Sequence, residues 1–175
     1  YVGLPVAVAF AKSNYDVIGF DLNKNRLNEL NLKNDKTGEV SRLDLKNTQI
    51  TFTNETNILK KANFHIITVP TPIDDFKKPD LSHIIKACKT LGKILKKDDI
   101  IVIESTVYPG VTEEIALPIL EKTSGLKINK DFSIGYSPER INPADKKHRF
   151  ENIKKVLSAS NINALNLMER VYGSV

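Results

Sequence analysis

The residues best suited to chemistry stand in three short segments, each of which follows an apolar stretch. Residues 69–72 read Val-Pro-Thr-Pro, residues 104–110 contain Glu-Ser-Thr and Pro-Gly, and residues 137–143 read Ser-Pro-Glu-Arg-Ile-Asn-Pro. Hydroxyls, a carboxylate and a guanidinium on loops that proline stiffens suit acid–base chemistry and the binding of phosphate or sugar. Any one segment could be a plain turn or a surface ion pair. Their repetition after successive apolar stretches favours a ligand site.

A fourth signal lies near the start of the chain. Gly3 opens an apolar stretch, and Asp21 follows the next one eighteen residues later. This spacing matches the third glycine of a G-x-G-x-x-G turn and the acid that binds the ribose of a dinucleotide. An acid here, with no second basic cluster, favours NAD over NADP. Alternatively, Gly3 only permits close packing and Asp21 caps a helix; these two residues alone leave both interpretations open.

Apolar strands and amphipathic helices must position these segments. Strands are predicted at residues 16–21, 49–53, 64–69, 99–104, 132–136 and 153–157. Helices are predicted at residues 3–13, 23–32, 54–61 and 80–95, after Pro109-Gly110 with a kink at Pro118, and at 161–172. Continuously apolar strands that alternate with helices indicate an α/β fold with a doubly wound, mostly parallel sheet. Ligands of such sheets bind at the carboxyl ends of the strands.

Composition narrows the class of protein. The chain has 175 residues, of which 41% are hydrophobic and 27% charged, as expected for one globular domain. No apolar run approaches the ~18 residues of a membrane span, so we expect no membrane association. One cysteine cannot form an internal disulfide, which fits the cytoplasm. The three histidines have no metal-ligand spacing, so we expect no metal.

The basic charge has two interpretations. The 26 basic and 21 acidic residues give a net charge of +5, which a nucleic-acid-binding protein could also have. The lysines come singly or in pairs such as Lys154-Lys155, without arginine-rich or aromatic-interleaved stretches. We therefore predict that they form a solvated surface and that the protein binds no nucleic acid.

Two reactive residue types are expected to be structural. Cys88 lies in line with Ile84 and Leu91 on the apolar face of a predicted helix, which indicates a buried, inert thiol. His65 lies inside a predicted strand, which indicates a core or edge histidine.

Together these segments resemble the UDP-sugar 6-dehydrogenases of the nucleotide-sugar dehydrogenase family. The resemblance extends along the whole chain and rests on YVGLPVAVAFA, GFDLNKNRL, VPTPIDDFKKPDLS, ESTVYPGVTEE and SPERINPADKKHR. SPERINP, with TGEVS at residues 37–41, looks most like the branch that acts on UDP-N-acetylhexosamines. UDP-glucose and UDP-N-acetylmannosamine are the alternative substrates, although Pro143 stands where relatives of the UDP-glucose type carry a second glutamate. A non-catalytic NAD-binding remnant is another alternative.

The resemblance implies a Rossmann-like domain and a two-step oxidation of the sugar C6 alcohol to a carboxylate for surface polysaccharide synthesis. Two NAD are reduced, and a family cysteine carries the thioester intermediate. Thr106 matches the threonine that holds the catalytic water, and Glu139 matches the glutamate that assists the thioester chemistry. The positions that match cofactor contacts are Val2, Gly3, Asp21, Arg26, Val69, Thr71, Ser105 and Thr106. The positions that match the substrate strip are Glu139, Arg140, Ile141 and Asn142.

Several features of the resembled family lie outside the sequence. They are the first strand with its G-x-G, the central helix, the UDP-sugar-binding domain, and the catalytic lysine, asparagine and cysteine. We therefore expect residues 1–175 to be an N-terminal NAD-binding domain that is truncated at both ends and inactive alone. The resemblance also implies a homodimer for the complete protein.

Overall fold

Helices and strands alternate along the chain in the computed structural model, which describes residues 2–73, 75–139 and 153–175. The strands are β1 Val17–Phe20, β2 Ile50–Thr53, β3 Phe64–Ile67, β4 Ile100–Ile103, β5 Ser133–Tyr136 and β6 Ser158–Ala159. The α-helices are α1 Gly3–Lys12, α2 Lys24–Asn31, α3 Arg42–Asn47, α4 Thr56–Leu59, α5 Ser82–Gly92, α6 Leu117–Ser124 and α7 Ile162–Tyr172. The predicted α/β class is confirmed. No helix among these residues is long and apolar enough to cross a membrane.

The first of two compact units includes residues 2–59 and Gly173–Val175. Its sheet is the parallel pair β1-β2, in which Val17 aligns with Ile50. The apolar faces of the helices bury a core of Leu4, Val8, Leu30, Val40, Leu45 and Ile50. The Asn23 side chain accepts hydrogen bonds from the first N–H groups of α2, so the predicted cap begins this helix where β1 ends.

The second unit includes Lys60–Glu139 and Lys155–Tyr172, and its sheet has the order β3-β4-β5-β6. Strands β3, β4 and β5 are parallel and in register, so that Ile67, Ile103 and Tyr136 end them at one level. All four residues of β4 are buried, as a central strand of a parallel sheet requires. The loops that follow these three strands therefore leave the sheet at one edge.

The strand predicted at residues 153–157 is wrong. Pairing occurs instead at Ser158–Ala159, which run antiparallel to Gly135 and Tyr136. Gly135 has no side chain, and a Cβ there would lie 2.9 Å from the Ser158 carbonyl oxygen. The close approach of the two backbones therefore needs the glycine at position 135. For this reason the strand pairing occurs at Ser158–Ala159 and not at residues 153–157.

The helix after Gly110 also differs from its prediction. Gly110 turns the chain with φ +97°, and Val111–Ala116 form a π-helix that continues into α6. Pro118 lies in the first turn of α6, and it has no N–H to donate to the carbonyl of Glu114. The helix accommodates the proline by widening before it rather than by ending.

Candidate functional site

Backbone hydrogen bonds join the three loops at the carboxyl edge of the second unit. The Glu104 and Ser105 N–H groups both donate to the Ile67 carbonyl, at 2.9 and 3.2 Å. The Glu139 N–H donates to the Glu104 carbonyl at 3.1 Å. These bonds continue the strand register by one or two residues, so they fix the polar side chains that follow each strand.

The predicted cofactor residues of this unit lie within these loops. The Ser105 hydroxyl is buried and donates to the Val69 carbonyl at 2.6 Å. The Thr71 hydroxyl donates to the Thr106 carbonyl at 2.8 Å. The structure therefore brings Val69, Thr71, Ser105 and Thr106 together, and the Thr106 side chain is exposed to solvent. The two prolines beside Thr71 restrict the loop that presents its hydroxyl.

Glu139, the predicted catalytic carboxylate, lies beside a buried ion pair. Lys155 Nζ is 3.2 Å from Glu104 Oε1 and 3.9 Å from Glu139 Oε2. The Lys155 side chain is only 9% exposed, and that of Glu104 is fully buried. The prediction that the paired lysines form a solvated surface is therefore wrong for Lys155, because two carboxylates draw its ammonium inward.

Burial dominates the electrostatics of this cluster. It raises the pKa of Glu104 above its ordinary value, and the Lys155 charge and a hydrogen bond with the Tyr172 hydroxyl oppose the rise only in part. Burial likewise raises the pKa of Tyr172, and the Glu104 charge adds to that rise. The Tyr172 ring lies 5.7 Å from Lys155 Nζ. The site therefore keeps Tyr172 neutral and makes charge on Glu104 costly.

Sequence reasoning did not assign Glu104, Lys155 and Tyr172 to the site. A charged residue directly after four buried apolar ones was a usable signal for Glu104. Lys155 and Tyr172 had no local signal, because their neighbours in sequence are ordinary surface and helix residues. Only the packing of α7 and of the segment before β6 brings them to the site.

The other predicted cofactor residues belong to the first unit. Gly3 is the first residue of α1, and Val2 precedes it. The exposed Asp21 follows β1, and its Oδ1 accepts the Asn23 N–H at 2.8 Å. Both predicted positions, the start of a helix and the carboxyl end of a strand, are confirmed.

Arg26 has acidic partners that the sequence did not reveal. Its guanidinium lies 2.6 Å from Glu29 Oε1 and 2.8 Å from Asp35 Oδ1, and its side chain is 16% exposed. Burial would raise the pKa of Asp35, but hydrogen bonds from Thr37, Val40 and Arg26 together lower it. The acids fix the direction of the Arg26 side chain on α2.

Three predicted substrate residues, Arg140, Ile141 and Asn142, lie outside the described residues. Within the residues that are described, no group of three or more histidine, cysteine or acidic side chains could hold a metal ion.

The first unit has groups that fit a dinucleotide. The first turn of α1, which begins at Gly3, carries no acidic residue, so the positive potential of the helix end favours a pyrophosphate. Asp21 offers an exposed carboxylate as an acceptor for ribose hydroxyls at the carboxyl end of β1. The first unit therefore offers a helix N-terminus that suits phosphate and an acidic acceptor that suits a ribose.

Cys88 and His65 are structural, as the sequence predicts. Cys88 is fully buried, and burial raises its pKa to about 12. His65 is buried in β3, with Nε2 3.3 Å from Asp99 Oδ2. Neither residue lies at the carboxyl edge of the sheet.

Known proteins that resemble this chain in sequence and in fold include nucleotide-sugar dehydrogenases. Protein CapL of Staphylococcus aureus is 55% identical over 175 residues, which are 100% of this chain and 41% of that protein. The UDP-N-acetyl-D-glucosamine 6-dehydrogenase of Salmonella typhi is 51% identical over 176 residues, again covering 100% of this chain and 41% of that protein. The UDP-D-ManNAc dehydrogenase structure from Pyrococcus horikoshii matches 99% of this chain and 42% of its own, with a TM-score of 0.86 and 30% identity. The chain thus spans about two fifths of the length of these relatives.

The matched family model accounts for the whole chain. The model describes the NAD-binding domain of the UDP-glucose/GDP-mannose dehydrogenases and matches residues 1–175. The cofactor of this domain is NAD. The fold, the order of elements and the acid after β1 agree with that match. The chain therefore belongs to the UDP-glucose/GDP-mannose dehydrogenase family.

Proposed function

We propose that this chain is the NAD-binding part of a UDP-N-acetylhexosamine 6-dehydrogenase, which oxidises the C6 alcohol of the sugar to a carboxylate. The observation that carries the proposal is 51% identity over the whole chain to proteins named UDP-N-acetyl-D-glucosamine 6-dehydrogenase. The uronic acid product suits the synthesis of a surface polysaccharide.

Each unit of the chain contains proposed cofactor residues. NAD, when bound, accepts the hydride that leaves C6. In the first unit, Val2 and Gly3 contact its pyrophosphate side and Asp21 accepts hydrogen bonds from ribose hydroxyls. Arg26 lies on α2, the helix whose start faces the adenosine ribose, and contacts the cofactor on that side. In the second unit, the proposed cofactor residues are Val69, Thr71, Ser105 and Thr106, at the carboxyl edge of its sheet.

Thr106 and Glu139 act on the sugar side of the reaction. The exposed Thr106 hydroxyl holds the water that attacks the acyl carbon, and the Glu139 carboxylate assists proton transfer from that water. Arg140, Ile141 and Asn142 contact the substrate. The cysteine that carries the acyl group is not Cys88, because that thiol is buried in the core of the second unit.

The substrate assignment is tested with the natural polypeptide that carries these residues. NADH formation is followed by absorbance with UDP-N-acetylglucosamine, UDP-N-acetylgalactosamine, UDP-N-acetylmannosamine and UDP-glucose. We expect one of the first two to give the highest kcat/KM, with two NADH formed for each sugar. Preference for UDP-glucose or UDP-N-acetylmannosamine would refute the substrate class. NAD binding without turnover of any sugar would indicate a non-catalytic module.

The residue roles have matched controls in the chain. Thr106→Ala and Glu139→Gln should each lower kcat by about 100-fold, and the affinity for NAD should stay nearly unchanged in Glu139→Gln. Thr90→Ala changes a half-buried threonine of α5, and Glu113→Gln changes an exposed glutamate of the same unit. Both lie outside the proposed site and should leave kcat unchanged. Wild-type kcat in both site variants would show that the assigned roles are wrong.

The resemblance also supports proposals about the complete protein. We expect a homodimer, which sedimentation velocity would detect, and a location in the cytoplasm, which cell fractionation would detect. A monomer that is fully active would contradict the first expectation.

A further inference from the structure

Four polar groups in the second unit form a buried cluster, here called the carboxyl-edge cluster. Its members are Glu104, Glu139, Lys155 and Tyr172. The side chains of Glu104, Glu139 and Lys155 are each less than a tenth exposed, and so is Tyr172 as a whole residue. Moving charged groups out of water costs several kcal/mol for each ion, and apolar residues often replace such groups without loss of stability. Stability alone is therefore a weak reason for two acids and an ammonium at this place.

Lys155 lies where it can hold the two acids together. Its Nζ is 3.2 Å from Glu104 Oε1, which is an ion pair at hydrogen-bond distance, and 3.9 Å from Glu139 Oε2. The backbone N–H of Glu139 donates to the backbone carbonyl of Glu104 at 3.1 Å. Glu139 is therefore fixed relative to Glu104 at its backbone, and its carboxylate faces the ammonium that Glu104 anchors.

Helix α7 restricts the position of Lys155 from another side. The Tyr172 ring packs edge-on against Phe64 of β3, with the ring centroids 6.2 Å apart, and lies 5.7 Å from Lys155 Nζ. A cation over an aromatic face is attracted to it, and the ring also excludes water from that side of the ammonium. The four members come from four separate parts of the unit, so their meeting depends on the folded sheet.

We propose that Lys155, anchored by Glu104, is a positioning residue that holds the Glu139 carboxylate in its reactive orientation. This inference rests on the proposed function, which gives Glu139 its role in the thioester chemistry. Without the ammonium, two buried carboxylates of like charge would face each other, and Glu139 would turn away or Glu104 would take up a proton. A displacement of about 1 Å in a reacting group can cost about 100-fold in rate.

The test compares two substitutions of Lys155 in the natural polypeptide. Lys155→Met keeps the length of the side chain and removes its charge, and it should lower kcat about 100-fold with little change in the KM for NAD or for the UDP-sugar. Lys155→Arg keeps the charge and should recover at least about tenfold of that loss. Lys130→Met removes an exposed lysine of the same unit and should leave kcat unchanged.

A double substitution separates positioning from a general structural effect. If Lys155 acts through Glu139, adding Lys155→Met to Glu139→Gln should lower kcat by less than about threefold beyond the single Glu139→Gln variant, because the groups act as a unit. A full second loss, or failure of Lys155→Arg to recover activity, would overturn the inference. Wild-type kcat in Lys155→Met would overturn it as well.

The outcomes also distinguish this inference from the proposed function. If Glu139→Gln lowers kcat and Lys155→Met does not, the function stands and the positioning role is wrong. If Glu139→Gln keeps full kcat, the assigned role of Glu139 is wrong, and so is the inference that rests on it. Should Lys155→Met not fold, Glu104→Gln removes the anchoring charge with an isosteric side chain. The inference then requires a lower kcat with unchanged KM in that variant, and wild-type kcat would overturn it.

Discussion

Strand β4 has a buried carboxylate at each end, and the two have opposite environments. Asp99 directly precedes the strand and is 1% exposed, and Glu104 directly follows it and is 0% exposed. Asp99 accepts hydrogen bonds from the Lys96 ammonium at 2.5 Å and the Lys96 N–H at 3.0 Å, and lies 3.3 Å from His65. Glu104 shares one ammonium with a second acid, Glu139.

The pKa values of the two carboxyls shift in opposite directions as a result. Burial would raise the pKa of Asp99, but hydrogen bonds from His65 and Lys96 together lower it. Burial raises the pKa of Glu104, and its partners do not overcome that effect. The amino end of β4 therefore uses its buried charge to stabilise the fold. The carboxyl end, where ligands of such sheets bind, keeps a charge that is costly to the fold.

Removal of the Asp99 charge should have the largest effect on stability. Asp99→Asn leaves the Lys96 and His65 donors without their anionic partner, so the free energy of unfolding in urea should fall by about 3 kcal/mol. The kcat of the folded variant should not change, because Asp99 lies at the edge opposite to the proposed site.

The neighbouring residue provides the control for that variant. Asp98 is exposed, and Asp98→Asn should change the free energy of unfolding by less than about 0.5 kcal/mol. A large fall in kcat in Asp99→Asn at full folding would contradict the separation between the two ends of β4.

The pH dependence of stability should differ in sign between the two ends. The lowered pKa of Asp99 contributes stability above about pH 4, and that contribution is lost as the pH falls through the folded-state pKa. The stability deficit of Asp99→Asn should therefore grow as the pH rises from about 3 to 5. The raised pKa of Glu104 costs stability as the pH rises above its unfolded-state pKa, so Glu104→Gln should gain stability relative to wild type from about pH 4 to 8.

Urea titrations at a series of pH values measure both slopes. Lys155, Glu139 and Tyr172 are the groups that act on Glu104, so Lys155→Met should steepen the fall of stability with pH. Slopes of the same sign for Asp99→Asn and Glu104→Gln would show that the two carboxyls do not differ as described.

The fold could be predicted from the sequence where its causes are local. The buried strand β4, the Asn23 cap and the glycine that begins α1 all follow from residue type and spacing over a few positions. The exact place of β6 could not be predicted in this way. The position of β6 depends on the close approach of the Ser158 backbone to Gly135, and these two residues are distant along the chain.

The residues of the candidate site also differ in whether a local sequence pattern predicts their position. Asp21, Thr71 and Ser105 could be located because each follows a strand that the apolar pattern predicts. Lys155 looked like half of a surface lysine pair, and only the fold shows that its side chain is 9% exposed. The Lys155 ammonium is buried because Glu104 and Glu139, which are distant from it along the chain, lie beside it in the fold. The residues next to Lys155 in the sequence do not indicate these partners.

Cys88 lies in the apolar core of the second unit, and its thiol should be unreactive. Burial raises its pKa to about 12, so the thiolate fraction at pH 8 is very small. Iodoacetamide should label Cys88 only after unfolding in urea, as mass spectrometry would show. Cys88→Ala should lower the free energy of unfolding by about 1 kcal/mol and leave kcat unchanged. Fast labelling of the folded protein would mean that this thiol is accessible, and the core assignment would be wrong.

The smallest effect is expected where an ion pair is exposed. Lys12 Nζ lies 2.6 Å from Asp44 Oδ1 in the first unit, but the two side chains are 44% and 34% exposed. Water and salt screen such a pair, so Lys12→Met should change the free energy of unfolding by less than about 0.5 kcal/mol, and the change should vanish at 1 M salt. This pair is only 0.1 Å longer than the 2.5 Å contact between Lys96 and Asp99. A loss near 3 kcal/mol would therefore show that distance, rather than burial and the number of donors, determines the stability of these pairs. The contrast between Asp99 and Glu104 at the two ends of β4 depends on burial and the number of donors, and not on the length of a single contact.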